Sequence, residues 1–467
     1  MEEPEGDEWI QEEFAWVDLG DERRKRRLLQ IVAALHGQPR ASLPTALGNP
    51  AALKAAYRFF DNPANEAERI LDSHVLATYQ RAATGPVVLA IQDTTYLDLS
   101  QFPTTKGLGP LTTDYRQGLL VHSTLAITPE RVPLGVLQQQ VWAREAQSFA
   151  HLQDHKRRPI EEKESHKWLL GLESVLAARQ AVPGTHWVCV TDREGDLFDL
   201  FVQPRPEGVD LLVRATQDRV VVATEARRIW DALRRTPIAA QIAIQVPKTP
   251  KHPARTARVD VHWKALSLQP PARLQAEQKA PLEMWAVWVI EPQGPAGESA
   301  LEWMLLTTVA VHTPEEALER VDWYACRWGI EVWHKVLKSG CRIEMRQLRD
   351  AENLKRLLSV FSVVAWKILY GTMLARALPD ELCTIFFEPE EWQAAYCALH
   401  QVASPPAETP TLREAIRMVA QLGGFIGRKG DGEPGVTVLW RGFQRLHDLT
   451  LMYKIFRPSS NSQNTYG

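Results

Sequence analysis

The sequence has few cysteines, and their spacing indicates no cross-link by disulfides or by a metal ion. Its 467 residues include five Cys, none in a Cys-x-x-Cys pair, so neither a disulfide framework nor a structural zinc site is indicated. Long apolar runs are also missing, because the longest, 357–366, ends at Lys367 and is too short to span a bilayer. The N-terminus lacks the positively flanked apolar core of a signal peptide. We therefore expect a cytoplasmic protein with reduced thiols and no membrane partner.

Net charge of either sign is nearly absent, which taken over the whole chain argues against a nucleic-acid partner. The total is −3, from 54 Lys+Arg and 57 Asp+Glu. Ten of the acids lie within residues 1–22, where there is no Lys or Arg, so the remaining residues sum to +7. Residues 211–264 hold 11 basic and four acidic residues. The chain thus joins an acidic leader to at least one basic region, and we interpret the leader as a restraint on non-specific DNA binding.

Two helices with basic surfaces are predicted near the start of the chain. The first follows the acidic pair at 21–22 and carries Arg23 and Arg24 in its first turn. The second begins at an Asn-Pro pair, an N-cap followed by proline at the first helical position, and carries Arg58. A solvated helix surface and a small DNA-binding domain both fit these charges.

The middle of the chain alternates strand-like and helix-like segments, which is typical of an α/β domain with a mixed sheet. Residues 218–310 depart from this alternation, and we interpret them as a β-rich insertion. Within it, a loop with regularly spaced prolines holds Lys248, Lys251 and Arg255. A rigid basic loop suits contacts with DNA phosphates, although a plain solvated loop fits the same residues.

Two aspartates occupy matching positions, each just past an apolar strand. Asp93 follows the run 87–91, and Asp192 follows the run 187–190. The crevice outside the carboxyl ends of strands is where sites form in open α/β sheets. Converging carboxylates repel each other and need a cation, and Mg²⁺ or Mn²⁺ prefers their oxygen ligands.

The segment 321–338 is predicted to be a helix with a narrow polar stripe. At about 100° per residue, Tyr324, Arg327, Glu331 and Lys338 share an arc about 60° wide on an otherwise apolar surface. His334 and Lys335 flank this stripe. A structural ladder of ion pairs fits the pattern. A metal-binding carboxylate beside groups that contact an anionic substrate also fits it.

The same four residues form the spacing Tyr324-x₂-Arg327-x₃-Glu331-x₆-Lys338, and other short motifs accompany it along residues 15–450. These motifs are, in chain order, Leu19-Gly20-Asp21-x-Arg23-Arg24, Ala56-Tyr57-Arg58-Phe59, Asp93-Thr94-Thr95, Val121-His122-Ser123, Asp192-Arg193-Glu194, Trp303-x-Leu305-Leu306-Thr307, Arg327-Trp328-x-Ile330-Glu331 and Leu422-Gly423-Gly424-Phe425. The set resembles DDE-type cut-and-paste bacterial transposases of the insertion-sequence-four family, the group that contains the Tn5 transposase. The polar stripe matches the family's Y-R-E-K signature.

The resemblance implies a fold and a division into three parts. The core would be a ribonuclease-H-like α/β domain at 71–375, with the β-rich insertion at 218–310. An N-terminal helical DNA-binding domain would cover 1–70, including the acidic leader. The C-terminal helices at 376–467 would form the dimerisation region, so that the chain acts as a homodimer in a synaptic complex.

The resemblance also implies a reaction. Asp93, Asp192 and Glu331 would hold two Mg²⁺ (or Mn²⁺) ions in each active site, and no nucleotide cofactor is expected. Two such ions can activate a nucleophile and stabilise the leaving oxygen in phosphoryl transfer. The transposon end would be nicked, closed as a hairpin and reopened, and its 3′-hydroxyl joined to target DNA. The protein would be encoded by a bacterial mobile element, an insertion sequence. It would associate with the nucleoid when bound to DNA.

Further DNA contacts follow from the same resemblance. Trp303 matches the tryptophan that receives a flipped base, since extruding a base requires an aromatic pocket to offset unstacking. The side chains that match phosphate-contacting or basic positions near double-stranded DNA are Tyr324, Arg327, Lys338, Arg214, His334 and Lys335.

Two other functions remain open at this point. One is a non-catalytic DNA-binding protein, either a transposition inhibitor or a domesticated relative, and the other is a metal-dependent endonuclease without strand transfer. The intact acidic triad favours catalysis. Two positions depart from the better-known relative: Gln92, where that protein has Glu, and Gly329, where it has Arg.

Overall fold

The N-terminal region is helical. The computed structural model describes residues 8–112, 115–145, 158–222, 225–246, 253–274, 280–295 and 300–456. Within 8–82 the helices are α1 (Glu8–Glu13), α2 (Glu22–Gly37), α3 (Leu43–Leu47), α4 (Pro50–Asp61) and α5 (Ala67–Ala82).

Side-chain caps explain where two of these helices begin. The Asp21 carboxylate accepts a hydrogen bond from the backbone of Arg23 at the start of α2, and Asn49 accepts one from Ala52 at 2.8 Å at the start of α4. Capping satisfies backbone N–H groups that have no partner within the helix. Both starts agree with the sequence prediction.

A ten-stranded mixed sheet forms the centre of the described molecule. Its strands are β1 (Val87–Asp98), β2 (Gly109–Pro110), β3 (Gln117–Ile127), β4 (Pro133–Trp142), β5 (His186–Thr191), β6 (Val209–Arg214), β7 (Ala240–Val246), β8 (Arg255–Leu268), β9 (Leu282–Ile290) and β10 (Glu302–Thr307). The order is β2-β3-β1-β5-β6-β10-β9-β8-β7, with β4 also paired to β3. β1, β5 and β6 are parallel, and the other pairs are antiparallel.

The predicted β-rich insertion is continuous with the central sheet, because β10 pairs with the edge of β6. Its strands are β7, β8, β9 and β10. The start of the insertion is not a strand, because the apolar residues 220–222 make only isolated bridges, and the next element is the short helix α8 (Ile229–Arg234).

Helices cover both faces of the sheet. The remaining helices are α6 (Lys167–Ala181), α7 (Phe198–Phe201), α9 (Pro314–Ala325), α10 (Trp328–Lys335), α11 (Ala351–Ala377), α12 (Pro389–His400), α13 (Leu412–Leu422) and α14 (Val436–Phe456), with 3₁₀ turns at Ile160–Glu162, Glu164–His166, Arg193–Gly195, Ala272–Leu274, Ile343–Met345 and Cys383–Ile385. One apolar core includes residues of α10, α11 and the N-terminal helices, and a second includes residues of α6 and α8. The chain is therefore α/β, with a central mixed sheet between helical N- and C-terminal regions, as predicted.

Helix α11 is long and apolar enough to cross a membrane by length and composition alone. In the structure, however, 83% of its most apolar window is buried inside the protein. Its apolar residues therefore serve as the core of the fold.

The C-terminal helices α13 and α14 cross where neither can carry a side chain. A Cβ on Gly423 would lie 1.8 Å from the Val438 carbonyl oxygen, and one on Gly442 would lie 1.9 Å from the Val419 carbonyl oxygen. Gly424, with φ of +94°, then turns the chain out of α13. This close approach explains the glycine pair in the motif at 422–425.

Candidate functional site

Asp93 and Asp192 lie on adjacent parallel strands at the same level. Ile91 pairs with Val190, and each aspartate stands two positions beyond its paired residue. Asp192 follows β5 directly and accepts a hydrogen bond from the backbone of Glu194 at 2.9 Å. Asp93, expected just past its strand, lies inside β1, because β3 continues to pair with β1 beyond it.

The surroundings of Asp93 raise the pKa of its carboxyl group. Burial raises the pKa of Asp93 to about 7; the Arg327 guanidinium opposes this rise, while the Asp192 and Glu331 carboxylates add to it. His334 also faces this site, with its Nδ1 at 3.6 Å from Asp93 Oδ2. Burial lowers the pKa of His334 to about 3, so its ring is neutral.

The predicted long helix is interrupted at the site. α9 ends at Ala325 and α10 begins at Trp328, and the backbone N–H of Arg327 donates to the carbonyl of Tyr324 at 3.0 Å, as in a tighter 3₁₀ turn. Glu331 nevertheless stays beside Arg327, as their ion pair shows, and Tyr324 and Glu331 both act to raise the pKa of Arg327. The prediction of one continuous helix over 321–338 was therefore wrong.

Gly329 has a structural role in this turn. A Cβ at Gly329 would lie 2.5 Å from Ile127 Cδ1 of β3, so a side chain here would force Ile127 to move. The departure from arginine at this position therefore fits the close approach of α10 to the sheet.

Glu331 is paired with Arg327 and remains half-exposed. Arg327 Nη2 lies 2.5 Å from Glu331 Oε1, and 49% of the Glu331 side chain is accessible. Among the described residues, no group of three His, Cys, Asp or Glu side chains is placed so that it could hold a metal ion as it stands. Glu331 would have to leave Arg327 to join the two aspartates on an ion.

Lys338 reaches the same site from a π-helical turn at Val336–Gly340. Its Nζ lies 3.5 Å from Thr95 Oγ1, two residues along β1 from Asp93, and 3.2 Å from Glu344 Oε1. The sequence prediction did not include Glu344, which no motif marks.

Trp303 packs beside the polar stripe and is only 3% exposed. Its ring meets those of Tyr324 and Trp328 edge to face, at centroid distances of 5.1 Å and 6.2 Å. Arg214, the last residue of β6, donates to the Glu302 carbonyl at 2.7 Å and acts on the charge of the Tyr324 hydroxyl. A flipped base could reach Trp303 only after these rings separate.

Lys335 is not part of this cluster. It is exposed and lines a cavity of 370 Å³ on another side of α10, together with Val332 and residues of α11 and α14.

A buried polar network behind Asp93 was also missed. His122 Nε2 lies 3.0 Å from Gln92 Oε1, and its Nδ1 lies 2.9 Å from Thr94 Oγ1. Gln92 Nε2 in turn donates to Cys189 Sγ at 3.0 Å. The network joins β1, β3 and β5 on both sides of Asp93 in sequence, and the Val-His-Ser motif was its only sequence signal.

Two family models match the ends of the chain. Residues 6–65 match a transposase DNA-binding model, and residues 363–460 match the model of the Tn5 transposase dimerisation domain. These two matches support a Tn5-like transposase. Its partners are DNA and a second copy of itself.

The DNA-binding match covers the predicted basic helices of the transposase. Arg23 and Arg58 are exposed, and Arg24 is partly exposed. Arg23 also forms an ion pair with Asp21 at 3.1 Å, yet 87% of its side chain remains accessible. All three guanidinium groups can therefore reach a phosphate.

The basic loop of the insertion joins β7 to β8. Lys248 and Lys251 lie outside the described residues. Arg255 begins β8 instead of lying in the loop, and it pairs in two-pronged fashion with the buried Glu291 carboxylate at 2.5 Å and 2.9 Å. The charge of Arg255 is thus offset within the transposase, so a phosphate would have to compete with Glu291 for it.

The C-terminal match covers helices with exposed apolar side chains. On the last turns of α14 these are Leu451, Met452, Ile455 and Phe456. Exposed apolar clusters of this kind mark interaction surfaces, which agrees with a dimerisation domain.

The acidic leader is partly built into the transposase. Glu13 is buried, and its carboxylate accepts from Arg81 at 2.9 Å and 3.0 Å and from His74 Nδ1. His74 Nε2 accepts a backbone N–H from Val136, so its ring is neutral and Arg81 supplies the balancing charge. Although burial raises the pKa of Glu13, His74 and Arg81 lower it to about 2.

Proposed function

We propose that this transposase is catalytically complete: it nicks the transposon end, forms and reopens a hairpin, and joins the 3′-hydroxyl to target DNA at the site around Asp93. The observation that carries the proposal is that Asp93 and Asp192 lie at the same level on adjacent parallel strands, with the Arg327–Glu331 pair close enough to shift the pKa of Asp93. Clusters of this kind are costly to a fold and are typical of functional sites. The strand order around β1, β5 and β6 also supports a ribonuclease-H-like core.

The donor set fits a divalent metal ion. Asp93, Asp192 and Glu331 offer only carboxylate oxygens, which Mg²⁺ and Mn²⁺ prefer, and their mutual repulsion is the cost that a cation removes. We propose that these three residues hold two ions, with Glu331 released from Arg327. Bound there, the ions would activate the attacking oxygen and stabilise the leaving oxygen.

The other side chains would bind and orient DNA. Arg327, freed from Glu331, presents a planar guanidinium suited to paired hydrogen bonds with a phosphate. Lys338 places a second positive charge along β1 from Asp93. The buried rings of Trp303 and Tyr324 would exclude water and, once parted, hold an extruded base. Arg214 and His334 would help to hold the same DNA strand.

The experiment is Mg²⁺-dependent cleavage of end DNA by Asp93→Ala, Asp192→Ala and Glu331→Ala. Each variant should lose cleavage while it keeps most of its affinity for the end. Asp322→Ala is the matched control, because Asp322 is an exposed acid on the adjoining helix α9. Full cleavage by any of the three site variants would contradict the assignment of these residues as a metal-binding triad. Binding without cleavage by the unmodified protein would favour the non-catalytic inhibitor.

The substrate can be named from the DNA that flanks the coding region. A mobile element should have short inverted repeats on both sides, bounded by a direct duplication. Synthetic duplexes of those repeats then serve as end DNA, and a supercoiled plasmid serves as the target. Cleavage without joining would indicate an endonuclease that lacks strand transfer.

A further inference from the structure

A short turn after the catalytic helix links Lys338 to the strand that carries Asp93. In the turn at Ile343–Met345, Glu344 Oε1 accepts the backbone N–H of Asp98 at 3.0 Å and also lies 3.2 Å from Lys338 Nζ. One carboxylate oxygen therefore meets both the β1 backbone and the ammonium group. This contact fixes Lys338 at a set distance along β1 from Asp93.

Without Glu344, Lys338 would be poorly held. In the described part of the chain its other hydrogen bond is the long one of 3.5 Å to Thr95 Oγ1. The Lys338 side chain is 29% accessible, and it extends from a π-helical turn. A free lysine has many rotamers, and ordering them on binding costs conformational entropy.

Arg346 holds the same turn from behind. Its guanidinium is 4% exposed, donates to the carbonyls of Pro39, Ala41 and Cys341, and lies over the Phe361 ring at 4.8 Å. Pro39 and Ala41 belong to the link between α2 and α3. The turn that carries Glu344 is thus fastened to the N-terminal DNA-binding region as well as to the core.

We propose that Glu344 is a positioning residue, which holds the Lys338 ammonium beside β1 so that it meets a DNA phosphate without first being ordered. Arg346 fixes the turn and so keeps Glu344 in place. The inference rests on the proposed function in one respect, because it takes Lys338 to contact bound DNA.

The opposite role would be masking, in which Glu344 competes with phosphate for Lys338. Its anchorage to the Asp98 N–H argues against that role, since this hydrogen bond directs the carboxylate along the strand and keeps it available as a guide. The two roles predict effects of opposite sign when the charge is removed.

The test is a double-mutant cycle of Glu344→Gln and Lys338→Ala in the full-length protein. Single-turnover cleavage of end duplexes and the salt dependence of duplex affinity are both measured. Each single variant should cleave roughly tenfold to a hundredfold more slowly, as expected when a reacting group is misplaced by about 1 Å. The double variant should be no slower than Lys338→Ala. Glu344→Gln should also lose part of the slope of about 0.9 in log affinity against log salt that one phosphate contact supplies.

Three controls separate positioning from general damage. Glu352→Gln removes the carboxylate of a comparable ion pair, with Lys355 at 2.8 Å on α11, and should leave cleavage and salt slope unchanged. Glu344→Asp should restore part of the rate. Arg346→Lys, which keeps the charge but loses the fork, should slow cleavage only while Lys338 is present.

Additive losses in the double variant would overturn the proposal, and so would faster cleavage or tighter binding by Glu344→Gln. If the unmodified protein binds ends without cutting them, the proposed function fails. The salt slopes of Glu344→Gln, Lys338→Ala and their double variant then decide the positioning role by themselves.

Discussion

Replacing Asp93 by asparagine should stabilise the folded protein at alkaline pH. The pKa of Asp93 is raised from 3.8 to about 7, first by burial. Between these values the folded protein keeps a proton that the unfolded chain has released, so the free energy of unfolding falls as pH rises. The decline ends above about pH 7, where both states are ionised. Asp93→Asn, which cannot ionise, lacks this decline.

The size of this change in the free energy of unfolding follows from the interval between the two pKa values of Asp93. One pKa unit corresponds to 1.36 kcal/mol, so the full window is worth about 4 kcal/mol as an upper limit. Between pH 5 and pH 8 the wild type crosses about two units of it. Over that range the stability of Asp93→Asn relative to wild type should therefore rise by about 3 kcal/mol. Other groups titrate in both proteins and cancel in the difference.

The assay is urea unfolding at pH 5 and pH 8, without DNA and with EDTA. Asp380→Asn, at an exposed position, controls for loss of a carboxylate as such. Millimolar Mg²⁺ at pH 8 should then stabilise the wild type and not Asp93→Asn. A stability difference that is the same at both pH values would refute the account of Asp93 as a crowded, buried acid.

Three further changes test other parts of the molecule. Glu13→Gln should lower the free energy of unfolding at pH 7 by about 3 kcal/mol in urea titrations, because the partly buried Arg81 guanidinium loses its carboxylate partner. The low pKa of Glu13 means that its contribution is present above pH 4.5 and lost as pH falls through about 2. Gly442→Ala puts a methyl group against the α13 backbone and should lower the free energy of unfolding by about 3 kcal/mol or more. The dimer should then be lost in sedimentation. Gly435→Ala, which has open space around it, should change neither property. The pair Glu12→Gln and Asp18→Asn removes exposed acids of the leader and should tighten binding to random-sequence DNA; unchanged affinity would remove a restraining role for the leader.

Local signals predicted the ends of several elements and the meeting of two acids. The Asn-Pro pair gives the start of α4 because capping and the fixed φ of proline act within one turn. The level of Asp93 and Asp192 was predictable because adjacent parallel strands of similar length end together. The extent of β1 was not, since its last residues are held by pairing with β3, a partner that leaves no mark in the β1 sequence.

Tertiary partners account for what the sequence could not show. The 3₁₀ turn before Trp328 changes the angle between residues, so angles calculated for one continuous helix over 321–338 do not apply across it. Arg255 reads as a loop cation, yet Glu291, 36 residues later, binds it across the insertion. Glu13 reads as one more solvated acid of the leader, but it is buried against Arg81. Deleting the leader from near Asp18 would therefore damage the fold as well as change its charge, which makes single exposed acids the better targets.

The continuous sheet also sets the distance between the insertion and the acids on β1. Six strand steps separate β1 from β7, and at about 4.8 Å per step they span about 29 Å. That is the axial length of roughly eight or nine base pairs at about 3.4 Å each. Backbone hydrogen bonds between neighbouring strands hold this distance constant. If the basic loop that follows β7 contacts DNA, the contact should lie a fixed number of base pairs from the acids on β1. Adding or deleting one base pair between those two places should then change the rate of cleavage.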